Sequence, residues 1–242
     1  MTRAVPHSGG GPLYAQVREL MVAAIVEGRW QPGDALPSEN QLAAEYGVSQ
    51  GTLRKALDAL DADNLVVRHQ GRGTFVAAHT PQRELFHFFH IAGDDGTKQL
   101  PATSRLVTCE RRRGTAAECG RLDLPASARI VHLTRVRDLG GRPVILENIV
   151  VPARLFPGLV DDDIPNELYQ LYEEGFGVTI HRAVEHLRAI AAGRDEARHL
   201  GVPLKSPLLE VDRLAETLDG TPAEWRTSRL GSNDHHYVSE ID

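Results

Sequence analysis

Ser38-Glu39-Asn40-Gln41-Leu42-Ala43-Ala44-Glu45-Tyr46-Gly47-Val48-Ser49-Gln50-Gly51-Thr52-Leu53-Arg54-Lys55-Ala56-Leu57 reads as two short amphipathic helices joined at a glycine. Ser38 is placed to cap the first helix, with Gln41 three residues on as a capping box requires. Leu42, Ala43 and Tyr46 give that helix an apolar side, and Gly47 stops it with positive φ. Ser49 caps the second helix, whose buried stripe is Leu53, Ala56, Leu57 and Leu60. This spacing is that of a helix-turn-helix. With that stripe buried, the exposed first turn presents Gln50, Gly51 and Arg54, with Lys55 beside them. Gln pairs bidentately with adenine and Arg with guanine, while Gly51 permits close approach to a backbone. Ser49 and Thr52 add hydroxyls for phosphate.

Upstream, Leu13, Val17, Leu20, Met21, Ala24 and Ile25 recur at helical spacing until Gly28 and Pro32-Gly33 end the pattern. Downstream, Leu65-Val66-Val67 and Thr74-Phe75-Val76 read as strands around the tip Gln70-Gly71-Arg72-Gly73. His69, Gln70, Gly71 and Arg72 make this tip a flexible basic wing suited to phosphate or the minor groove. A three-helix domain with a hairpin and no nucleic-acid role shows the same pattern.

The first dozen residues read as a disordered lead-in, and the stretch from Ala78 to Gln82 as a linker. Beyond it come strand-like runs at 105–111, 130–137, 144–151, 178–189, 208–218 and 224–230. Short helices fit at 166–174 and 194–200. Gly140-Gly141 and Asp219-Gly220 are hairpin turns, which favours antiparallel pairing. The predicted fold class is α+β. It comprises a winged helix-turn-helix over 12–77, a linker over 78–84 and an antiparallel-sheet domain over 85–242.

The first domain resembles the GntR family of transcription regulators. The resemblance rests on Leu36-Pro37-Ser38-Glu39, Gly47-Val48-Ser49, Thr52-Leu53-Arg54-Lys55-Ala56-Leu57 and Gln70-Gly71-Arg72-Gly73-Thr74-Phe75-Val76, with Pro32-Gly33-Asp34 at the position of the family's turn. It implies a dimer that binds pseudo-palindromic operators in double-stranded DNA. Recognition-helix contacts would fall on Ser49, Gln50, Gly51, Thr52 and Arg54, and wing contacts on Gln70 and Gly71. Many members carry Arg where this chain has Gln50, and some carry Arg where it has Asn40.

The second domain resembles the UTRA (HutC-type) effector domain, of chorismate-lyase-like fold. Its markers are Thr134-Arg135-Val136-Arg137, Arg142-Pro143-Val144, Glu147, Asn166-Glu167-Leu168-Tyr169, Leu200-Gly201-Val202-Pro203 and Gly220-Thr221-Pro222-Ala223-Glu224. Arg135 and Arg137 share one strand face. Buried together they are unfavourable unless an anion or carboxylates pair them, and Glu147 and Glu224 are candidates; on a solvated face they would be surface ion pairs. The resemblance implies that both arginines and Glu147 serve a small-molecule effector. Related amino-sugar-phosphate sensors hold phosphate through a hydroxyl-bearing loop where this chain has Phe88-Phe89-His90-Ile91-Ala92. They also carry a serine where it has Glu167 and a second tyrosine where it has Leu230. The expected effector is therefore a small organic acid, with His90 and Tyr169 as further contacts.

Composition bounds these readings. The 242 residues are 41% hydrophobic and 25% charged, which fits a folded chain, and no apolar run is long enough to cross a membrane. With no secretory pattern and two cysteines, a reducing cytoplasm is the expected location. Eleven histidines show no metal-ligand spacing, Asp161-Asp162-Asp163 reads as an acidic capping loop, and no cofactor is expected. The net charge of -6 resides mostly in the second domain, since residues 1–78 hold seven Arg/Lys and eight Asp/Glu. Arg54, Lys55, Arg68 and Arg72 are expected to gather on one face of the reader, with Asp58, Asp61 and Asp63 further along the helix. The alternative function is an enzyme acting on a small organic acid, since chorismate lyase shares the sheet; no nucleophile–base pair supports it.

Overall fold

The structure, a computed structural model, describes residues 11–78, 90–93, 96, 103–161, 163–231 and 235–239. The lead-in up to residue 10, the linker beyond Ala78, Phe88, Phe89 and Asp162 lie outside them. The chain divides after Ala78 into two compact units.

In the first unit, α1 (Leu13–Val26), α2 (Glu39–Tyr46) and α3 (Gln50–Ala62) precede the antiparallel hairpin β1 (Val66–His69) and β2 (Gly73–Val76). The core is Val17, Met21, Ala24, Leu42, Tyr46, Leu53, Ala56, Leu57 and Leu60. Leu13, expected on the apolar stripe of α1, is 46% exposed, because the helix projects its first turn beyond this core. Both sequence-read caps form: Ser38 and Gln41 close a reciprocal capping box, and Ser49 accepts from the Thr52 amide. Gly47 takes φ 67° and turns the chain between the helices.

Pro32-Gly33-Asp34 does more than end α1. Gly33 N–H donates to Val76 O at 3.0 Å, Val76 N–H to Asp34 O at 2.8 Å and Leu36 N–H to Thr74 O at 2.8 Å. The segment thus lies along β2 as a short third strand and roots the hairpin to the helices.

In the second unit β3 (Ile91–Gly93) precedes β4 (Thr103–Arg113), α4 (Ala116–Arg121), β5 (Arg129–Leu139) and β6 (Arg142–Pro152). Then come α5 (Leu168–Phe176), β7 (Ile180–Ala191), α6 (Arg194–Leu200), β8 (Pro207–Thr217), β9 (Pro222–Gly231) and β10 (His235–Tyr237). Six strands form one antiparallel sheet in the order β4-β5-β6-β9-β8-β7, and β10 pairs with β3 in a separate ribbon. The Gly140-Gly141 turn has positive φ at both residues, as a two-residue hairpin loop requires. Helix α5 packs on one face through Leu168, Tyr169 and Tyr172 against Leu133, Ile149 and Val151. On the other face Leu122, just past α4, meets Ile130 and Val150, while Leu200 of α6 meets Val136 and Leu146.

Among the described residues four elements were not foreseen: α4, β3, β10 and a 3-10 turn at Leu159–Asp161, each six residues or fewer and too short to show a period. Arg112, at the end of β4, grips Glu118 of α4 at 2.7 and 2.9 Å. That fork, with the Thr115 amide, outweighs burial and holds the Glu118 carboxyl down at about 2.

Replacing Ser38 by Ala removes a reciprocal cap at the entrance to α2. Urea unfolding is expected to show a loss of about 1 kcal/mol, whereas Ser38→Asp, which keeps an acceptor, loses little.

Candidate functional site

The exposed end of the first unit is built by the first turns of α2 and α3. Ser38, Ser49 and Thr52 are committed locally: Ser38 to Gln41, and Ser49 to the Thr52 amide at 3.2 Å and its hydroxyl at 3.0 Å. Gly51 leaves open space on its outer side. Gln50 donates its side-chain amide to Asn40 Oδ1. Arg54 Nη2 donates to Glu39 Oε2 at 2.8 Å, and Arg68 Nη1 lies 2.8 Å from Asp58 Oδ1. Lys55 is exposed, as are Gln70, Gly71 and Arg72 at the hairpin tip; His69 stacks edge-on with Phe75 at 5.4 Å. The expected cationic face is corrected in one respect. Arg54 and Arg68 form ion pairs, because α2 brings Glu39 beside α3 and Asp58 reaches across to β1.

The second unit holds a charged cluster on the α5 side of its sheet. Arg135 and Arg137 of β5 are 0% and 1% exposed, so the buried alternative holds. Glu147, directly opposite Arg135 on β6, accepts from Arg135 Nε at 2.5 Å. It also accepts from Arg226 Nη1 at 3.4 Å and Ser228 Oγ at 3.3 Å, and lies 3.8 Å from Arg137 Nη1. Burial pushes the Glu147 carboxyl up, but the charges of Arg135, Arg226 and Arg137 outweigh it and hold it well below the usual carboxylate range.

Glu224 does not reach the Arg135–Arg137 pair, contrary to expectation. It binds Arg226 bidentately at 2.9 and 2.7 Å and accepts from Tyr169 and Tyr172 at 3.2 and 2.9 Å. The reason is strand order: β9 lies beyond β6, one strand further from β5. Arg213 of β8 binds Glu185 of β7 at 2.6 Å and Tyr169 Oη at 3.4 Å, and Tyr237 donates to Glu185. Burial raises the Glu185 carboxyl, yet Arg213 and the Tyr237 hydroxyl bring it below its ordinary value.

This cluster opens into a small cavity. Its polar lining is Arg137, Arg213, Arg226, Glu147, Glu185 and Ser228, and the β3–β10 ribbon adds His90, Ile91 and Tyr237. Leu230 contributes an apolar wall. Of the residues expected at an effector site, His90, Arg137 and Glu147 line this cavity. Arg135 lies behind them, donating to the carbonyls of Pro165 and Asn166 at 3.3 and 2.9 Å. Tyr169 and Glu224 form the next layer, and Glu167 accepts from Asn166 Nδ2 at 3.1 Å outside the lining. Arg213, Arg226 and Glu185 were missed. Their signal was present: Glu224 and Arg226 are two apart and share a face, as Arg135 and Arg137 do.

Among the described residues no three His, Cys, Asp or Glu side chains converge as a metal site needs, and no helix is long and apolar enough to cross a membrane.

Comparison with known proteins places these two units. Residues 13–76 match the family described as bacterial regulatory proteins, gntR family, and residues 98–236 match the UTRA domain. A probable fructoselysine utilization operon transcriptional repressor of Escherichia coli K12 is 32% identical over 206 residues, covering 84% of each chain. The histidine utilization repressor of Pseudomonas putida is 31% identical, covering 85% of this chain and 82% of its own. The solved ligand-binding domain of a putative GntR-family transcriptional regulator from Bordetella bronchiseptica aligns with a TM-score of 0.59 at 32% identity, over 65% of this chain and 99% of that one.

Glu147→Gln strands guanidiniums inside the sheet. It is expected to destabilise the protein by roughly 3–5 kcal/mol, read by thermal unfolding, with added acetate raising the variant's Tm more than the parent's. The carboxylates of Glu147 and Glu185 are depressed, so their stabilisation is complete above pH 4.5 and is lost as pH falls below it. The parent's Tm should therefore drop more steeply on acidification than the variant's.

Proposed function

The chain belongs to the GntR family of bacterial regulatory proteins and carries the UTRA domain, a DNA-binding transcription regulator and not an enzyme; on that footing we propose that it is a repressor whose hold on its operator is set by a small organic acid. The reader occupies 12–77, the linker 78–84 and the sensor 85–242. Two copies bind a pseudo-palindromic site, each laying α3 in the major groove with its wing alongside. Gln50, Gly51, Arg54 and Lys55 face the bases and phosphates, and the hydroxyls of Ser38, Ser49 and Thr52 sit at the same surface. The wing brings His69, Gln70, Gly71 and Arg72. Arg54 and Arg68 exchange carboxylate for phosphate on binding, which keeps non-specific affinity modest and the salt dependence shallow. The protein acts in the cytoplasm, where its operator lies.

The observation that carries the effector class is a cluster of buried guanidiniums. Among the described residues, four guanidiniums (Arg135, Arg137, Arg213 and Arg226) meet three carboxylates (Glu147, Glu185 and Glu224) on one face of the sheet. The opposite face also carries an ionic network, in which Arg121, Arg188 and Arg229 meet Asp212, Glu210 and Glu196. That network is balanced, and its arginines are 33%, 61% and 32% exposed. On the side with the cavity the arginines are instead buried, with side chains 11% exposed or less. Buried guanidinium forks suit a carboxylate, and the neighbouring Glu147 and Glu185 disfavour a phosphate dianion. Arg137, Arg213 and Arg226 receive the acid, with His90 at the rim and Tyr169 holding Arg213 from behind. Relatives named for fructoselysine and for histidine utilization stand at nearly equal identity, so likeness alone selects no effector. Binding favours one dimer geometry over another, and the shift it produces is bounded by its differential affinity for the two.

The test pairs gel retardation on genomic fragments with thermal unfolding of the full chain against monocarboxylates, dicarboxylates and phosphomonoesters. Sequence-specific retardation at moderate salt is expected. A monocarboxylate should raise Tm and alter retardation, and Arg213→Gln should lose both responses while still binding DNA. Absence of specific retardation overturns the regulator's DNA-reading mode, and stabilisation by phosphomonoesters alone overturns the effector class.

A further inference from the structure

The first turns of α2 and α3 are joined by two side-chain contacts. One is ionic: Arg54 directs Nε and Nη2 at Glu39 Oε2, 3.3 and 2.8 Å away. The other joins two neutral amides, Gln50 Nε2 donating to Asn40 Oδ1. All four residues belong to the same exposed corner, and Asn40 and Gln50 are themselves exposed. The ionic contact ties up one edge of the Arg54 fork, so the group at the leading end of α3 that is turned outward and uncharged is the Gln50 amide.

A glutamine amide has a donor end and an acceptor end, and an isolated exposed one presents them in either order. In the structure Asn40 Oδ1 accepts from the Nε2 end of Gln50 and holds the amide in that order. One Nε2 hydrogen goes to Asn40, which leaves the second hydrogen and Oε1 as a donor–acceptor pair. In the major groove adenine offers N7 as acceptor beside the N6 amino donor, the complement of that pair. Guanine offers two acceptors, N7 and O6, so Oε1 would face an acceptor.

We propose that Asn40 is a positioning residue for base recognition, fixing Gln50 so that the half-site carries an A·T pair where α3 begins. The inference rests on the reading that α3 enters the major groove. Asn40 and Gln50 then act as one unit, and the contact between helices converts a sequence-tolerant glutamine into a selective one.

Selection of randomised duplexes by the full chain, followed by competition binding at fixed salt, tests it. The parent should enrich a half-site with A over G by about tenfold or more at one position. That position is identified as the one where Gln50→Ala abolishes preference. Asn40→Ala should cut the preference at that same position several-fold, leaving other positions, affinity for random DNA and Tm unchanged. Asn40→Asp, which keeps the acceptor oxygen, should restore it. The proposal is overturned if Asn40→Ala leaves the A preference intact, if it changes a different position, or if the Gln50-dependent pair is G·C. A chain that enriches no sequence at all instead overturns the major-groove reading on which the proposal rests.

Discussion

Glu147 is the carboxylate around which the sensor unit is assembled. It sits 3% exposed on β6, second neighbour to one edge of a six-stranded sheet, and three guanidiniums from two different strands converge on it. Burying that many charges is costly unless each is answered, and here the answers come from the hairpin partner β5 and from the sequence-distant β9. Arg135 reaches it from β5, Arg226 from β9, and Ser228 adds a hydroxyl. The register β5-β6-β9 is therefore tied to electrostatics as well as to apolar packing. A slip of one residue would turn these side chains to the other face and leave the charges unmatched.

The two faces of the sheet answer the same problem differently. On the α4 and α6 side, arginines reach outward over buried carboxylates, so water shares the charge. On the α5 side the guanidiniums are inside, held by glutamates and tyrosines, and the hydroxyls of Tyr169 and Tyr172 hold Glu224 against Arg226. Burial and the neighbouring Glu224 push both tyrosine hydroxyls above their ordinary range, so they act as neutral donors. One sheet thus carries a wet ionic network on one face and a buried one on the other.

Local rules were enough for much of this architecture. Ser38, Gln41, Gly47 and Ser49 announced α2 and α3 because caps are written in adjacent residues, and alternation located six main strands. Arg135, Arg137 and Glu147 were legible because a single hairpin places them opposite one another. What escaped depended on which strands become neighbours. Period-two alternation orients side chains but carries no strand order, so Glu224 was matched to the wrong arginines, and Arg213, Arg226 and Glu185 were passed over. The ribbon β3–β10 escaped for a further reason: its strands are three residues each and are defined by one another. The wing's anchoring by Gly33 and Asp34 was likewise hidden behind their role as a helix stop.

That ribbon has a kinetic consequence. Its pairing of Ile91 with Tyr237 closes a loop containing almost the entire sensor unit, the longest-range strand contact described. Loop-closure entropy delays such contacts until the intervening chain is in place, and so short a pairing gains little to offset an earlier closure. The six-stranded sheet can therefore be complete while this wall of the cavity is not. The cavity is therefore expected to be the last part of the domain finished during folding, and its wall the first given up when the domain opens locally.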